Sequence, residues 1–389
     1  MMQDVIVEVL KATSLFFLNP LFVATLIAAV FLGYFRVKRE RRSFRVRLMP
    51  GLTDLKRLLS ESWPYAIILS VLISGVGLIV EIEWLALFCV AAFIGLISFY
   101  YKIMSPIYFV AVAYFTIFFM QRYASEFTFQ GWSLSHINLN GDMVITVAII
   151  AGLLLVTEGV LVGRFGERHA SPFLKKTKRG LRASVFKAKR LWLLPVIFIV
   201  PGDVISAYLP YWPQFTLGQN AFAFIPVPLI IGFSQVIKST YPEIIFPKIG
   251  RRVIGLGLVV LALGIGAIWI PLLGVVALII GVIGRMTISI VVSILERNAA
   301  FAVAPRSSGV VIAGVLPDSP SDKMGLLPGE CIRSVNGLEV KTERELYDAI
   351  QINAAHCRLQ VLGRDGEVRL MQQVIYRHDH HRLGILVIQ

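Results

Sequence analysis

Between residues 19 and 295 the chain is a near-unbroken series of apolar runs, more than a soluble core of this length could bury. A helix crossing the hydrocarbon layer needs about 20 apolar residues, in a range of roughly 17–25. On that criterion spans are expected at 19–36, 63–80, 84–100, 106–120, 142–163, 191–209, 221–237, 253–270 and 272–290. The last two form one run broken at Trp269-Ile270-Pro271, where proline cannot continue the backbone ladder and a tight turn is expected. The run at 106–120 is short; nine spans follow, with eight as the alternative. The hydrophobic share of 56% exceeds the roughly 45–50% of soluble domains, and the excess stops near Glu296-Arg297-Asn298. The expected organisation is an α-helical polytopic membrane domain over 1–298, followed by a small α+β domain over 299–389.

The charges orient these spans. Residues 36–47 carry Arg36, Lys38, Arg39, Arg41, Arg42, Arg45 and Arg47 against Glu40. Residues 164–190 are richer still, with Lys175, Lys176, Lys178, Arg179 and Arg182 at their centre, and 238–252 adds Lys238, Lys248, Arg251 and Arg252. The alternate loops 81–83, 121–141 and 210–220 hold only Arg122. Cytoplasmic loops carry the Lys/Arg excess, which places the N-terminus outside and the C-terminal domain in the cytoplasm. The net charge of +14 therefore belongs to topology and to anionic lipid headgroups rather than to nucleic acid. The loop 164–190 is expected to lie on the inner leaflet, each cation there contributing on the order of 1 kcal/mol. Residues 4–18 repeat Asp4, Glu8 and Lys11 at helical spacing among apolar residues, so an interfacial helix is expected, with a tenth span as the alternative. Three cysteines, Cys89, Cys331 and Cys357, show no paired spacing and fit a reducing compartment. No cleavable signal peptide is read at the N-terminus.

The last 90 residues or so read as alternating strands and helices. Gly309 to Val315 is a strand; a short helix through Asp322-Lys323-Met324 stops at Gly325, a residue free to adopt the left-handed helix-end conformation. Asn336-Gly337 is a hairpin signal, and Thr342-Glu343-Arg344-Glu345 opens a second helix as a capping box whose inward face is Leu346, Ala349 and Ile350. Two more strands, 358–363 and 367–375, flank Arg364-Asp365-Gly366. This order of glycines, Ser319-Pro320 and Asn336-Gly337 resembles the bacterial PDZ domains attached to HtrA, tail-specific and site-2 proteases. Glu330 stands where that family usually has aspartate.

The resemblance implies capture of an extended C-terminal peptide beside a sheet edge and the second helix. An apolar-Gly-apolar loop would present N–H groups to the peptide carboxylate. Leu383, Gly384, Ile385, Leu386 and Val387 fit that loop and its strand, though at the extreme C-terminal end, which implies a permuted strand order. The alternative is Phe301-Ala302-Val303-Ala304, which lacks the glycine.

Catalysis is not expected. No span contains a histidine, so neither an intramembrane H-E-x-x-H zinc site nor a serine–histidine pair can form, and Ser74-Gly75 is read as small-residue helix packing. His378-Asp379-His380-His381 is expected to be a solvated turn rather than a metal site; no cofactor, metal or small-molecule substrate is expected. Glu158 lies inside the fifth span, where a carboxylate is a functional candidate by default, but reaching the interface or pairing with Arg164 would explain it.

Many spans, basic loops and one terminal PDZ-like domain resemble the MinJ family of cell-division topology determinants of Firmicutes. The likeness runs from Phe35-Arg36-Val37-Lys38-Arg39-Glu40-Arg41, closing the first span, to Leu383-Gly384-Ile385. It implies a membrane-anchored adaptor at septum and poles, linking a DivIVA-like coiled-coil scaffold to a MinD-like ATPase of the Min system. The alternative is a PDZ-bearing regulatory subunit of a membrane protease or secretion complex.

Overall fold

The computed structural model describes residues 16–388 except 124–127, 130–131, 134–136, 140, 203–211, 218–219, 353–356 and 374–382, together with Val7, Leu10 and Ser14. The expected helix at 4–18 and the histidines at 378–381 thus fall mostly or wholly outside the described residues.

Helix α1 (Pro20–Phe44) starts where Asn19 accepts the Leu21 N–H at 2.9 Å and Pro20 supplies a preset first turn. It continues past the expected limit of 36, and two charges of its last turns, Arg36 and Glu40, are buried in protein. Arg36 bonds Glu40 one turn on at 3.1 Å and Asp54 at 3.0 Å. Then come α2 (Thr53–Ser60), α3 (Trp63–Val76), α4 (Ile82–Ile97) and α5 (Pro106–Tyr123). A two-residue hairpin, β1 (Thr128–Phe129) and β2 (Trp132–Ser133), precedes α6 (Asp142–Phe165). After the sheet described below come α7 (Pro242–Gly266) and α8 (Leu272–Asn298), with the turn at Pro271.

Among the described residues, five helical segments are long and apolar enough to cross a membrane: α1, the joined α2–α3, α6, α7 and α8. Of these α6 is central, with 78% of its apolar window buried against 28–44% for the others. It meets α7 through glycines. A Cβ on Gly159 would come within 2.7 Å of the Ile254 backbone nitrogen, and one on Gly152 within 2.7 Å of that of Leu261. Gly250 and Gly257 repeat the arrangement from the α7 side. Small residues let two backbones touch where lipid offers no hydrophobic drive. That packing is here, not at Ser74-Gly75: Gly75 is exposed and a Cβ there would meet nothing within 4 Å.

Two expected helical spans are strands. The described parts of the expected spans 191–209 and 221–237 supply the body of a four-stranded antiparallel sheet, β3 (Ser171–Lys176), β4 (Arg182–Pro201), β6 (Asn220–Ile237) and β5 (Gln214–Leu217), in that order. The β4–β6 register runs unbroken from Phe186↔Ile237 to Pro201↔Phe222, roughly 50 Å at about 3.3 Å per residue. A continuous apolar run does not distinguish strand from helix, but proline does. Inside a helix Pro195, Pro226 and Pro228 would break the ladder. Here Pro195 lies opposite Pro228 and Ile197 opposite Pro226, so every proline nitrogen faces an outer edge where no ladder donor is needed.

Several of the other edge groups are answered by neighbours. Ser62 Oγ donates to the Leu193 carbonyl at 2.6 Å, the Ile197 N–H donates to Ser70 Oγ at 3.0 Å, and the Val80 N–H donates to the Ile199 carbonyl at 3.0 Å. Across the sheet, the Gly232 N–H donates to the Met104 carbonyl at 2.9 Å. A sheet edge amid apolar helices survives only if its polar groups are paired in this way. Ser62 and Leu193 are fully buried, so Ser62→Ala should lower stability by about 1–3 kcal/mol, the cost of one orphaned carbonyl. Thermal unfolding in detergent measures this; an unchanged midpoint would refute the edge-capping role.

Several cations counted in sequence as loop charges are likewise internal. Arg190 is buried between Asp54, at 3.7 Å, and Glu61, whose carboxylate also accepts from Trp192 Nε1 at 3.0 Å. With Arg36 and Glu40 these groups tie α1, α2 and β4 together beneath the spans.

Beyond α8 the C-terminal domain has its own core. Its sheet runs β11 (Val368–Gln373), β10 (Cys357–Leu362), β8 (Cys331–Val335), β7 (Val310–Val315), β12 (Ile385–Ile388), with β9 (Leu338–Glu339) beside β8. Helices α9 (Pro320–Lys323) and α10 (Glu343–Ile352) complete it. Asn336 and Gly337 both have positive φ, 52° and 86°, as the tight β8–β9 turn demands. All three cysteines are free thiols, and burial raises the Cys357 thiol to about 11.

Candidate functional site

The last described strand creates an open sheet edge. β12 pairs antiparallel with β7 through Ile385↔Val315 and Leu386↔Gly314, and nothing among the described residues pairs on its other side. The loop entering it is held by its carbonyls. Leu383 O accepts from the backbone N–H of Ser321 at 3.0 Å and also from the Ser321 hydroxyl; Gly384 O accepts from Leu316 N–H at 2.8 Å. In a trans peptide the C=O and the following N–H point oppositely. Two successive N–H groups, of Gly384 and Ile385, are therefore turned away from the domain body. Adjacent outward amides of this kind form a concavity suited to a carboxylate. Gly384 has φ +80°, and a Cβ there would lie 2.3 Å from Ser319 Cβ, so both conformation and space require glycine.

The strand alternates as the pleat dictates. Leu383, Ile385 and Val387 join Leu346, Ala349 and Ile350 of α10 in the domain's own core. Leu386 and Ile388 face the other way, into the core shared with the membrane body. Helix α10 is placed by its cap: Thr342 Oγ1 accepts from the Glu345 N–H at 3.2 Å, and the Glu345 carboxylate accepts from Lys341 N–H at 2.7 Å. Of the eight residues singled out in sequence for this groove, Leu383, Ile385, Val387, Leu346, Ala349 and Ile350 share one core, Gly384 lies in the loop entering β12, and Leu386 faces the membrane body instead.

Phe301-Ala302-Val303-Ala304 is engaged elsewhere. Ala302 N–H donates to Lys238 O at 2.7 Å, and Val303 O accepts from Ser184 N–H at 2.9 Å. Sequence reasoning missed Ser321, fully buried and pinning the carboxylate-loop candidate. Its signal was its place directly after Ser319-Pro320, a pair read only as part of the family pattern. Glu330, the departure from aspartate, is buried, accepts from Leu327 N–H at 2.9 Å and meets Arg369.

The domain is docked on the membrane body. Arg364, in the β10–β11 turn, stacks 3.6 Å above the Tyr241 ring and pairs with Glu243 at the start of α7. The basic segment 164–190, expected as a loop, is largely the β3–β4 hairpin. The register is Lys175↔Ala183 and Lys176↔Arg182, and Gly180 takes φ +81° in the turn. Strand pairing follows from Pro172-Phe173-Leu174 meeting Ser184-Val185-Phe186, apolar positions that need cover. Lys175, Lys176, Lys178, Arg179 and Arg182 all remain exposed around its tip. Glu158 does not pair with Arg164: its carboxylate takes Arg285 Nε and Nη2 at 2.8 and 2.6 Å and the Ser105 hydroxyl. Arg285, on α8, had not been singled out in sequence.

Comparison with known proteins agrees with this architecture. Residues 311–362 match the family model described as PDZ domain; β12 lies beyond that match. The chain is 34% identical over 386 residues, 98% of its length and 96% of the relative's, to "Cell division topological determinant MinJ" of Bacillus subtilis (strain 168). It is 28% identical over 243 residues, 62% of this chain and 65% of the relative, to "Probable cell division topological determinant MinJ" of Lacticaseibacillus paracasei.

Proposed function

We infer, from the premise that the chain belongs to the MinJ family of cell division topological determinants, that it is a non-catalytic membrane adaptor in division-site selection. Its spans fix it in the bacterial cell membrane, and the C-terminal domain, on the cytoplasmic side with the exposed basic hairpin, recruits partners at septum and poles. The partners this reading names are a DivIVA-like polar and septal coiled-coil scaffold and a MinD-like ATPase. The hairpin tip, with Lys178 and Arg179 foremost, rests on anionic headgroups.

The observation that supports this most is that the alignment covers nearly the whole chain, so membrane body and PDZ-like domain are shared together with the relative named for division topology. The free edge of β12 beside α10 is the surface on which a partner peptide adds as a further strand. Sidedness is supported by charge: the hairpin between β3 and β4, the turn before α7 and the C-terminal domain lie at one end of the molecule, the end rich in Lys and Arg.

The test is the position of a functional fluorescent fusion in dividing rod-shaped cells, with and without the coiled-coil scaffold. Enrichment at septa and poles that disappears without the scaffold is the expected result. A uniform membrane signal in both strains would overturn the division-adaptor reading.

A further inference from the structure

A cavity of about 380 Å³ opens beside the end of α8, within the range of roughly 300–1,000 Å³ typical of ligand sites. Its wall is cationic to a degree that neither the ion-pair networks nor the peptide-binding edge explains. Lys102, Lys175, Lys187, Lys189, Lys238 and Arg297 all line it, against a single carboxylate, Glu296. That carboxylate is already occupied by neutral donors. The N–H groups of Lys238 and Ser239 reach Glu296 Oε2 at 2.7 and 3.0 Å, and the Ser239 hydroxyl reaches Oε1 at 2.6 Å.

The lysines are likewise held by neutral partners. Lys189 Nζ donates to Phe99 O at 2.9 Å and sits 4.2 Å from the Tyr101 ring centroid. Lys102 Nζ donates to Ser293 Oγ at 2.7 Å, and Lys238 Nζ to Arg297 O at 2.9 Å. Lys187, two residues before Lys189 and on the same face of β4, finds no acceptor among the described residues. Burial first, then the neighbouring cations Lys187 and Arg39, push the Lys189 ammonium down to about 8. Lys187 is lowered by burial and by Arg39. Phe99 itself is held at φ +52°, a conformation costly for a bulky residue, and this turns its carbonyl onto Lys189.

We propose that this cavity binds a phosphate-bearing anion, supplied by the headgroup of an anionic phospholipid. Six cations around one carboxylate repel one another until a multivalent oxyanion enters, and a cluster of ammonium groups lining one space suits phosphate oxygens. The source follows from position. The cavity lies where polar chain turns apolar, just before Leu191 on β4 and at the last turns of α8. Exposed Phe99, Val236, Ile294 and Ile97 give acyl chains a surface to follow from it. It is distinct from the hairpin tip, with which it shares only Lys175.

The experiment uses the full chain purified in detergent. Phosphatidylglycerol, phosphatidylcholine and inorganic phosphate are each titrated, with thermal unfolding and native mass spectrometry as readouts. Phosphatidylglycerol should raise the unfolding temperature and be retained as a discrete adduct, whereas phosphatidylcholine does neither. The variant K187Q/K189Q/K238Q should lower the apparent affinity about a hundredfold, each lost cation counting for a factor of roughly five. The tip variant K178Q/R179Q should bind as the parent does. Equal retention of the two lipids, or unchanged binding by a folded triple variant, would overturn the site. A shift produced by inorganic phosphate but not by phosphatidylglycerol would overturn the lipid as its source. Should the triple variant fail to fold, K187Q alone, which removes no hydrogen bond among the described residues, must still weaken phosphatidylglycerol binding.

Discussion

Replacing Glu158 with alanine should lower the stability of the membrane body by about 3–5 kcal/mol, the cost of leaving one partner of a buried ion pair uncompensated. Glu158 has no exposed surface and Arg285 only 4%. Arg285 reaches its partner through two nitrogens of one guanidinium, while the Ser105 hydroxyl donates to the other carboxylate oxygen. Removing the carboxylate leaves a guanidinium amid α5, α6 and α8 without a counter-ion, where its desolvation is unrelieved. Removing both charges is another matter. Apolar residues of similar size often replace a buried ion pair without loss. E158L/R285M should therefore regain most of what E158A loses, and the coupling is read from the double-mutant cycle by thermal unfolding in detergent. Additive losses from the two single changes would show that the groups act independently.

The second large effect concerns the carboxylate loop. Gly384→Val should weaken binding of a fluorescent peptide with an apolar C-terminal residue at least about tenfold, with membrane insertion unchanged. A valine cannot hold φ +80° without strain, and its Cβ would overlap Ser319. Either response swings the Gly384 and Ile385 amides off their aim. The same peptide amidated at its C-terminus should bind the parent chain as poorly as the acid form binds the variant. Fluorescence anisotropy with the full chain reads both. Unchanged binding by G384V, or indifference to amidation, would remove Leu383–Ile385 as the carboxylate loop.

The fold of the C-terminal domain was legible in sequence because its signals are local. Asn336-Gly337, Ser319-Pro320, the Thr342–Glu345 cap and Leu383-Gly384-Ile385 each specify a backbone conformation within a few residues, and the domain follows from their order. Even the permuted strand could be read, since only Leu383–Val387 combined alternation with a glycine. What failed was non-local. Strand β4 reads as a span by hydropathy because pairing with β6 and burial by helices leave it as apolar as any helix. Its distinguishing marks, Pro195 facing Pro228 and Pro226 two residues away, were in plain view. They acquire meaning only once the register is known. Arg285 escaped notice for a related reason: its partner Glu158 lies on α6, far along the chain, and Arg164 was nearer in sequence. The same holds for Arg36 and Arg190, cations by composition but internal struts by structure.

The long hairpin also bears on how such a chain enters its bilayer. A helix can leave an insertion channel alone, since its backbone is already satisfied within the segment. Neither β4 nor β6 can do so, because each by itself would carry a row of bare amides and carbonyls into hydrocarbon. The paired strands β4 and β6 must therefore partition together, after both have been synthesised and with Ser62, Ser70 and Met104 already in place to receive their edges. Insertion of this protein cannot proceed one segment at a time. The β4–β6 hairpin is expected to enter only when its second arm can close the ladder.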